Sequence, residues 1–249
     1  MDGFFALPPP FEGFFASPHR FLWHAATRTA VLSDLHLGAE ASLARQGLYL
    51  PDTSSAAIRR AWHEIASLSP ARVVLAGDVF DAREPDGRAV GLFGDLVAAV
   101  ASARISFLPG NHDPGVELLA RMTRDLPITV EPVTEVAGIR VTHGHEVPEL
   151  PAGGLVTGHQ HPAVILATRV RSAKMICYAL CVVRRGGGPR VPVVVLPAFS
   201  PLPLGSNLLT GRNWILDLPA PAAAEVRVLG IVERRVLDFG PLAGLAGGA

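Results

Sequence analysis

Cysteine, lysine and aromatic side chains are all scarce in this sequence of 249 residues. Two cysteines, Cys177 and Cys181, allow one disulfide at most, which excludes a cross-linked secreted scaffold and suits a reducing compartment. Their four-residue spacing sets both on one face of a helix or of a strand, but without companion ligands they read as small buried hydrophobes. Aromatic residues make up 6% of the chain, so no base-stacking platform is visible. No apolar run reaches the length of a membrane span. The start, Met1-Asp2-Gly3-Phe4-Phe5 with prolines at 8 to 10, lacks the basic opening and unbroken apolar core of a secretory signal. The expectation is a soluble, cytoplasmic protein with no membrane partner.

Net charge is absent as well: 22 Lys and Arg balance 22 Asp and Glu, and Lys174 is the single lysine. The balance is uneven along the chain. Residues 165–249 hold ten basic and four acidic side chains, and residues 1–164 hold twelve and eighteen. A basic C-terminal third could face a polyanion such as nucleic acid, with Arg169, Arg171, Lys174, Arg184, Arg185 and Arg190 as a phosphate-tracking surface. Solvated edge-strand charges explain these residues equally well. An acidic excess that serves a metal site and ordinary surface is the preferred account of the asymmetry. Hydrophobic residues at 49% against 18% charged describe a globular chain, long enough for one large α/β domain or two small ones.

Residues 1–28 are rich in Phe, Pro and Gly, show no clear period, and read as an irregular arm. Thr29 to Ser33, Arg72 to Ala76, Ile105 to Leu108, Ile139 to Thr142 and Leu155 to Thr157 are short apolar runs expected as strands. Residues 54–68, 88–102 and 115–124 carry helical spacing, the first with Thr53 or Ser54 as its cap. Further strands are expected at Val164 to Val170, Met175 to Arg184, Val191 to Leu196, Trp214 to Leu218 and Val226 to Val232. A glycine turn follows Arg185. Pro197 to Asn207 is a loop that either closes over a site or packs under the second sheet. No repeat or long linker divides the chain, so residues 29–240 read as a single domain and 241–249 as a frayed tail. Strands alternating with helices predict a layered α/β fold.

Each of the first five strands runs straight into polar residues: Asp34-Leu35-His36, Gly77-Asp78, Gly110-Asn111-His112-Asp113, His143-Gly144-His145 and Gly158-His159-Gln160-His161. Ligands of α/β sheets gather at the carboxyl ends of strands, so these side chains are expected on one rim. Aspartate, asparagine and histidine together suit borderline divalent metals rather than calcium. More than four donors implies two ions, and two cations a few ångströms apart need a shared carboxylate between them. The neighbouring glycines let the backbone turn and approach without a Cβ in the way.

These five segments resemble, in order and spacing, the calcineurin-like metallophosphoesterase superfamily, from Asp34 to about Pro162. The resemblance implies a four-layer α/β/β/α sandwich with two mixed sheets. It implies that Asp34, His36 and His161 hold the first metal, that Asp78 bridges, and that Asn111, His143 and His159 hold the second. His143 is preferred to His145 on the same ground. His112 is expected off the metals, facing the substrate phosphate, with Asp113 orienting its ring; these two are the candidate catalytic residues. The implied cofactors are two divalent ions, manganese first, with zinc, iron, nickel or cobalt as alternatives. The implied reaction is phosphoester hydrolysis by a water activated between the ions.

A narrower resemblance rests on Leu35-His36-Leu37-Gly38-Ala39-Glu40, Arg45-Gln46-Gly47, Leu50-Pro51, His159-Gln160-His161-Pro162-Ala163 and Leu196-Pro197-Ala198-Phe199. These are similar to the small archaeal and bacterial phosphoesterases, a subgroup that includes the ligase-associated DNA endonucleases of DNA repair. It implies a phosphodiesterase or nuclease with DNA or RNA as substrate. The alternatives are a phosphodiesterase or phosphomonoesterase of small molecules, and a non-catalytic interaction scaffold of the same fold. His19, His24 and His63 fall in no motif and read as surface or packing residues, and Asp81 reads as a turn cap in preference to a support behind a metal ligand.

Overall fold

Ala30 to Leu32, Val73 to Leu75 and Ile105 to Phe107 are nearly continuous apolar runs, the pattern of strands covered on both faces. In the computed structural model, which describes residues 1–146, 150–167, 172–184, 188–203, 205–210 and 225–245, they are the middle of a seven-stranded sheet. Its strands are β1 Phe5–Ala6, β2 Phe14–Ala16, β3 Leu22–His24, β4 Thr29–Leu32, β5 Arg72–Leu75, β6 Arg104–Phe107 and β7 Ile128–Val130, paired in chain order. The first four meander antiparallel, and β4 to β7 run parallel. Parallel neighbours need crossovers, supplied by α1 Ala39–Arg45, α2 Ser54–Ser67, α3 Gly87–Ala99 and α4 Val116–Met122.

The second sheet has nine strands. Along its main path lie β8 Thr134–Val136, β9 Ile139–Thr142, β10 Leu155–Thr157, β13 Val191–Val195, β12 Ser172–Val183, β11 Pro162–Ala167 and β14 Ser206–Asn207. The strand β15 Val226–Val232 pairs with β12, and β16 Arg235–Pro241 pairs with β15. Strands β9, β10 and β13 run parallel, and β12 returns antiparallel, so both sheets are mixed.

Three apolar clusters separate four layers. Alternate residues of a strand face opposite ways: Val73 and Leu75 pack with Trp62, Ile65, Leu92 and Phe93 of the helices, while Val74 joins Val141, Val156, Tyr178 and Val194 between the sheets. Cys177, Ala179 and Cys181 face the far side of the second sheet with Leu208 and Leu242, under the 3-10 turn Leu208–Thr210 and α5 Leu242–Leu245. This is the expected α/β/β/α sandwich. Both cysteines are free and buried, and burial pushes their thiols far above the ordinary range.

The first 28 residues are not irregular. They hold β1, β2 and β3, and Leu7, Phe11, Phe14, Phe21, Leu22 and Trp23 are buried. Tyr178 fixes their turn from the second sheet, its hydroxyl lying 2.7 Å from the Ser17 carbonyl and 2.9 Å from that of Phe21. The Thr53 side chain makes no cap bond to α2; the Ser54 backbone and hydroxyl turn to the Glu40 carboxylate instead. Of the expected tail, residues 242–245 form a short helix with Leu242 buried. The expected strand at Trp214 to Leu218 and the glycine turn at 185–187 lie outside the described residues, as do Arg169 and Arg171. No helix among the described residues is long and apolar enough to cross a membrane.

Candidate metal centre

Strand register brings the donors together. Leu32, Leu75 and Phe107 stand level across β4, β5 and β6, and Thr142 and Thr157 stand level across β9 and β10. The residues that follow therefore leave both sheets at one rim. The loop after β13 joins the sheets there: Phe199 N donates to Ser33 O at 2.9 Å and Ser200 N to Asp34 O at 3.1 Å. Far from arching over the site, residues 197–200 are buried in its floor.

Asp34, His36, Asp78, His159 and His161 all adopt positive φ, between 45° and 66°. Left-handed backbone costs a non-glycine residue energy, and it persists at functional sites where the surroundings enforce it. Here it aims one side chain after another at the same space.

In the first donor set, Asp34, His36 and His161 offer ligand atoms within 4.8 Å of one another. His161 Nε2 is 3.0 Å from Asp34 Oδ1, and His36 Nε2 is 3.4 Å from His161 Nε2 and 4.0 Å from Asp78 Oδ2. The other His36 nitrogen, Nδ1, donates to Asp81 Oδ1 at 3.0 Å. That bond fixes the tautomer and leaves the Nε2 lone pair aimed at other electron-rich atoms.

The second set is Asp78, His143 and His159, again within 4.8 Å, with Asn111 beside them. His143 Nδ1 donates to the Ala76 carbonyl at 2.9 Å. Its Nε2 then faces Asp78 Oδ2 and Asn111 Oδ1, each at 3.3 Å. Lone pairs converging on lone pairs in a buried place are stable only with a cation or a proton between them. Without a metal the proton takes that place. Burial opposes a charge on His143, but the bond to Asp78 and the Asp34 carboxylate outweigh it and push the ring up to about 9. Imidazoles braced through their second nitrogen, together with carboxylate and amide oxygens, fit two divalent cations of the Mn, Fe, Co, Ni or Zn kind.

Asp34 is fully buried. Burial alone would raise its carboxyl, yet His161, His143 and His36 hold it well below the usual carboxylate range. Ser33 Oγ donates to it at 2.6 Å and the His159 amide at 3.1 Å. Two glycines are steric requirements. A Cβ on Gly77 would lie 2.3 Å from the His143 ring, and one on Gly158 would lie 2.4 Å from Ser33 Oγ and 2.7 Å from Asp34 Oδ2.

His112 is exposed at the mouth, its amide donating to Asp78 Oδ1 at 2.9 Å and its ring centroid 5.3 Å from that of His36. Asp113 does not orient it. The Asp113 oxygens accept Phe80 N at 2.9 Å and Gly110 N at 2.8 Å, and burial pushes its carboxyl up to about 6. Asp113 shapes the loop that carries Asn111 and His112. The carboxylate near the His112 ring is Asp81, grouped with His36 and His112 within ligand distance. Asp81 is thus a brace for the site and not a turn cap; only its place three residues after Asp78 hinted at this. His143, not His145, reaches Asp78. His24 is a packing residue, bonded to Thr27 at 2.8 Å and packed against the Phe14 ring.

The family model for calcineurin-like phosphoesterases matches residues 27–160. That is more than half of the chain, which belongs to this family. Nuclease MPE of Pseudomonas putida superposes with a TM-score of 0.65 at 18% identity, over 95% of this chain and 100% of the other. At that identity the likeness is one of fold. A protein of unknown function from Aquifex aeolicus aligns over 53% of this chain and 78% of its own, at 14% identity and a TM-score of 0.35. No curated protein matches the sequence.

Proposed function

We propose that the chain is a two-metal phosphodiesterase that cleaves nucleic acid, with manganese as its preferred ion. The observation that carries this reading is the pair of donor sets meeting at Asp78 beneath an exposed histidine. Asp34, His36 and His161 would hold one ion, Asn111, His143 and His159 the other, and Asp78 both. Bound there, the ions would acidify a shared water and clamp phosphoryl oxygens for in-line attack. Asp81 and the Ala76 carbonyl hold the two imidazole rings in their ligating tautomers. His112, free of the donor sets, stands where it can donate a hydrogen bond to a phosphoryl oxygen or a proton to the leaving oxygen. The likeness to MPE, named as a nuclease, over 95% of this chain favours a polynucleotide over a small ester.

The test uses metal-stripped protein reconstituted with manganese or zinc and assayed on bis-p-nitrophenyl phosphate and p-nitrophenyl phosphate. The expected result is metal-dependent hydrolysis favouring the diester, lost in Asp78→Asn. Diester turnover that survives that substitution would overturn the assignment. Oligonucleotide cleavage that ignores ionic strength would point to a small-molecule substrate, because counterion release makes polyanion binding salt-sensitive. Protein that takes up no metal would point to a scaffold.

A further inference from the structure

A cavity of about 540 Å³ lies beside the metal rim, between the β2–β3 turn, α2 and the loop after β13. Its charged lining is one-sided: Arg20, Arg59, Arg60 and Arg234 stand against the single carboxylate of Glu64, with His19 and His63 among them. Two of the arginines are engaged. Arg20 donates to the Ser200 carbonyl at 2.9 Å, and Arg59 pairs with Asp95 at 2.7 Å. Arg60 and Arg234 are exposed, and neither has a carboxylate partner among the described residues. Like charges brought together in a concave place repel one another and concentrate an anion there.

None of the metal donors lines this cavity, yet one wall is the Phe199–Pro201 segment whose amides bond to Ser33 and Asp34. An anion held here therefore sits next to the metal centre but outside it. A small phosphoester cannot occupy both places; a polynucleotide can, through a second phosphate of the same strand. Resting on the reading above, we infer that this cavity is a backbone-phosphate site for a polynucleotide, with Arg60 and Arg234 as its contacts. The site reads charge and not sequence, since arginine–phosphate contacts position a strand without reading its bases. It draws its cations from the β2–β3 turn, from α2 and from the turn between β15 and β16. Arg190 is paired with Glu225 at 2.7 Å.

The experiment measures binding of a fluorescein-labelled 12-nucleotide single strand by anisotropy over a salt series. It compares the full chain with the double variants Arg60→Glu/Arg234→Glu and Arg60→Lys/Arg234→Lys, and follows bis-p-nitrophenyl phosphate hydrolysis in parallel. Each lost phosphate contact lowers the slope of log K against log salt by about 0.7 for a single strand. The glutamate variant should therefore lose about 1.4 from the slope and bind at least tenfold more weakly at low salt. The lysine variant should stay close to wild type, and small-diester hydrolysis should be unchanged in both. Equal binding by wild type and the glutamate variant overturns the site, as does a glutamate variant that also loses small-diester turnover. If the wild type hydrolyses no ester yet its strand binding responds to these substitutions, the phosphate site stands and the reaction assigned to the metal centre fails. If it hydrolyses the small diester but binds no strand, the reaction stands and this site fails.

Discussion

The two donor sets are built differently on either side of Asp78, the proposed bridge. In the first, the His36 ring is braced by a carboxylate, Asp81, at 3.0 Å. In the second, the His143 ring is braced by a backbone carbonyl, Ala76 O, at 2.9 Å. A carboxylate brace makes an imidazole more basic and can itself be lost by substitution. A carbonyl brace is written into the backbone and depends on the glycine that follows it. The first set also contains the fully buried Asp34, while the second takes a neutral amide oxygen from Asn111. The more anionic first set should hold its ion more tightly, and the second should exchange its ion more readily.

The largest expected effect removes what the sets share. Asp78→Asn should lower metal content from two ions per chain toward one and reduce diester turnover by at least about 1,000-fold, the scale of losing one arm of a two-metal clamp. Elemental analysis beside the hydrolysis assay reads both quantities. A variant that keeps two ions and full turnover would mean Asp78 is not shared.

Two alanine substitutions separate the sets. Gly77→Ala should displace His143, because the new Cβ would sit within 2.3 Å of its ring on a backbone with φ of 85°. Gly158→Ala should crowd Asp34 and Ser33 instead. The first variant should lose the weaker ion and retain the tighter one; the second should weaken the tighter ion. Calorimetric titration with zinc distinguishes the patterns, and identical losses in both variants would show that the two sets act as one.

Asp81→Asn tests the carboxylate brace directly. Removing such a partner typically costs about 10–100-fold in metal affinity, and here the loss should fall on the first ion alone. Because Asp81 is also the carboxylate near His112, turnover at saturating metal should drop as well, with its pH profile altered. Unchanged affinity for both ions would return Asp81 to a purely structural role.

The seven candidate donors are legible in the sequence and the place of Asp81 is not, for a physical reason. Each donor follows directly on an apolar run, so strand, turn and ligand lie within a few residues, and the parallel register does the rest. The role of Asp81 depends on a contact 45 residues away in sequence, of which its place three residues after Asp78 gives no more than a hint. Asp113 was misassigned for the converse reason: it adjoins His112 in sequence, but its carboxylate points back to the amides of Phe80 and Gly110. The strands β1 to β3 escaped notice because two or three residues carry no period. Their phenylalanines and prolines resemble an irregular segment until Tyr178 and the second sheet cover them. The basic cavity was invisible because His19, Arg60 and Arg234 come from three distant parts of the chain.

The smallest expected effect concerns the proton that stands in for the second ion. The His143 ring is pushed up to about 9 in the metal-free protein, above its ordinary value of 6.5. A raised value in the folded state means that the protonated ring stabilises the metal-free fold fully below pH 6.5, and that this contribution disappears as pH rises through about 9. Metal binding requires the same nitrogen unprotonated, so below pH 9 the ion must displace a proton. Both effects act in one direction: raising the pH removes a stabiliser of the metal-free state and relieves competition with the ion. The rise in melting temperature on adding manganese should therefore grow from pH 6.5 to pH 8.5, with up to about one proton released per chain at the second set. A constant shift across that range would mean that His143 is already neutral in the metal-free protein, and that the gap between its Nε2 and Asp78 is filled by something other than a proton.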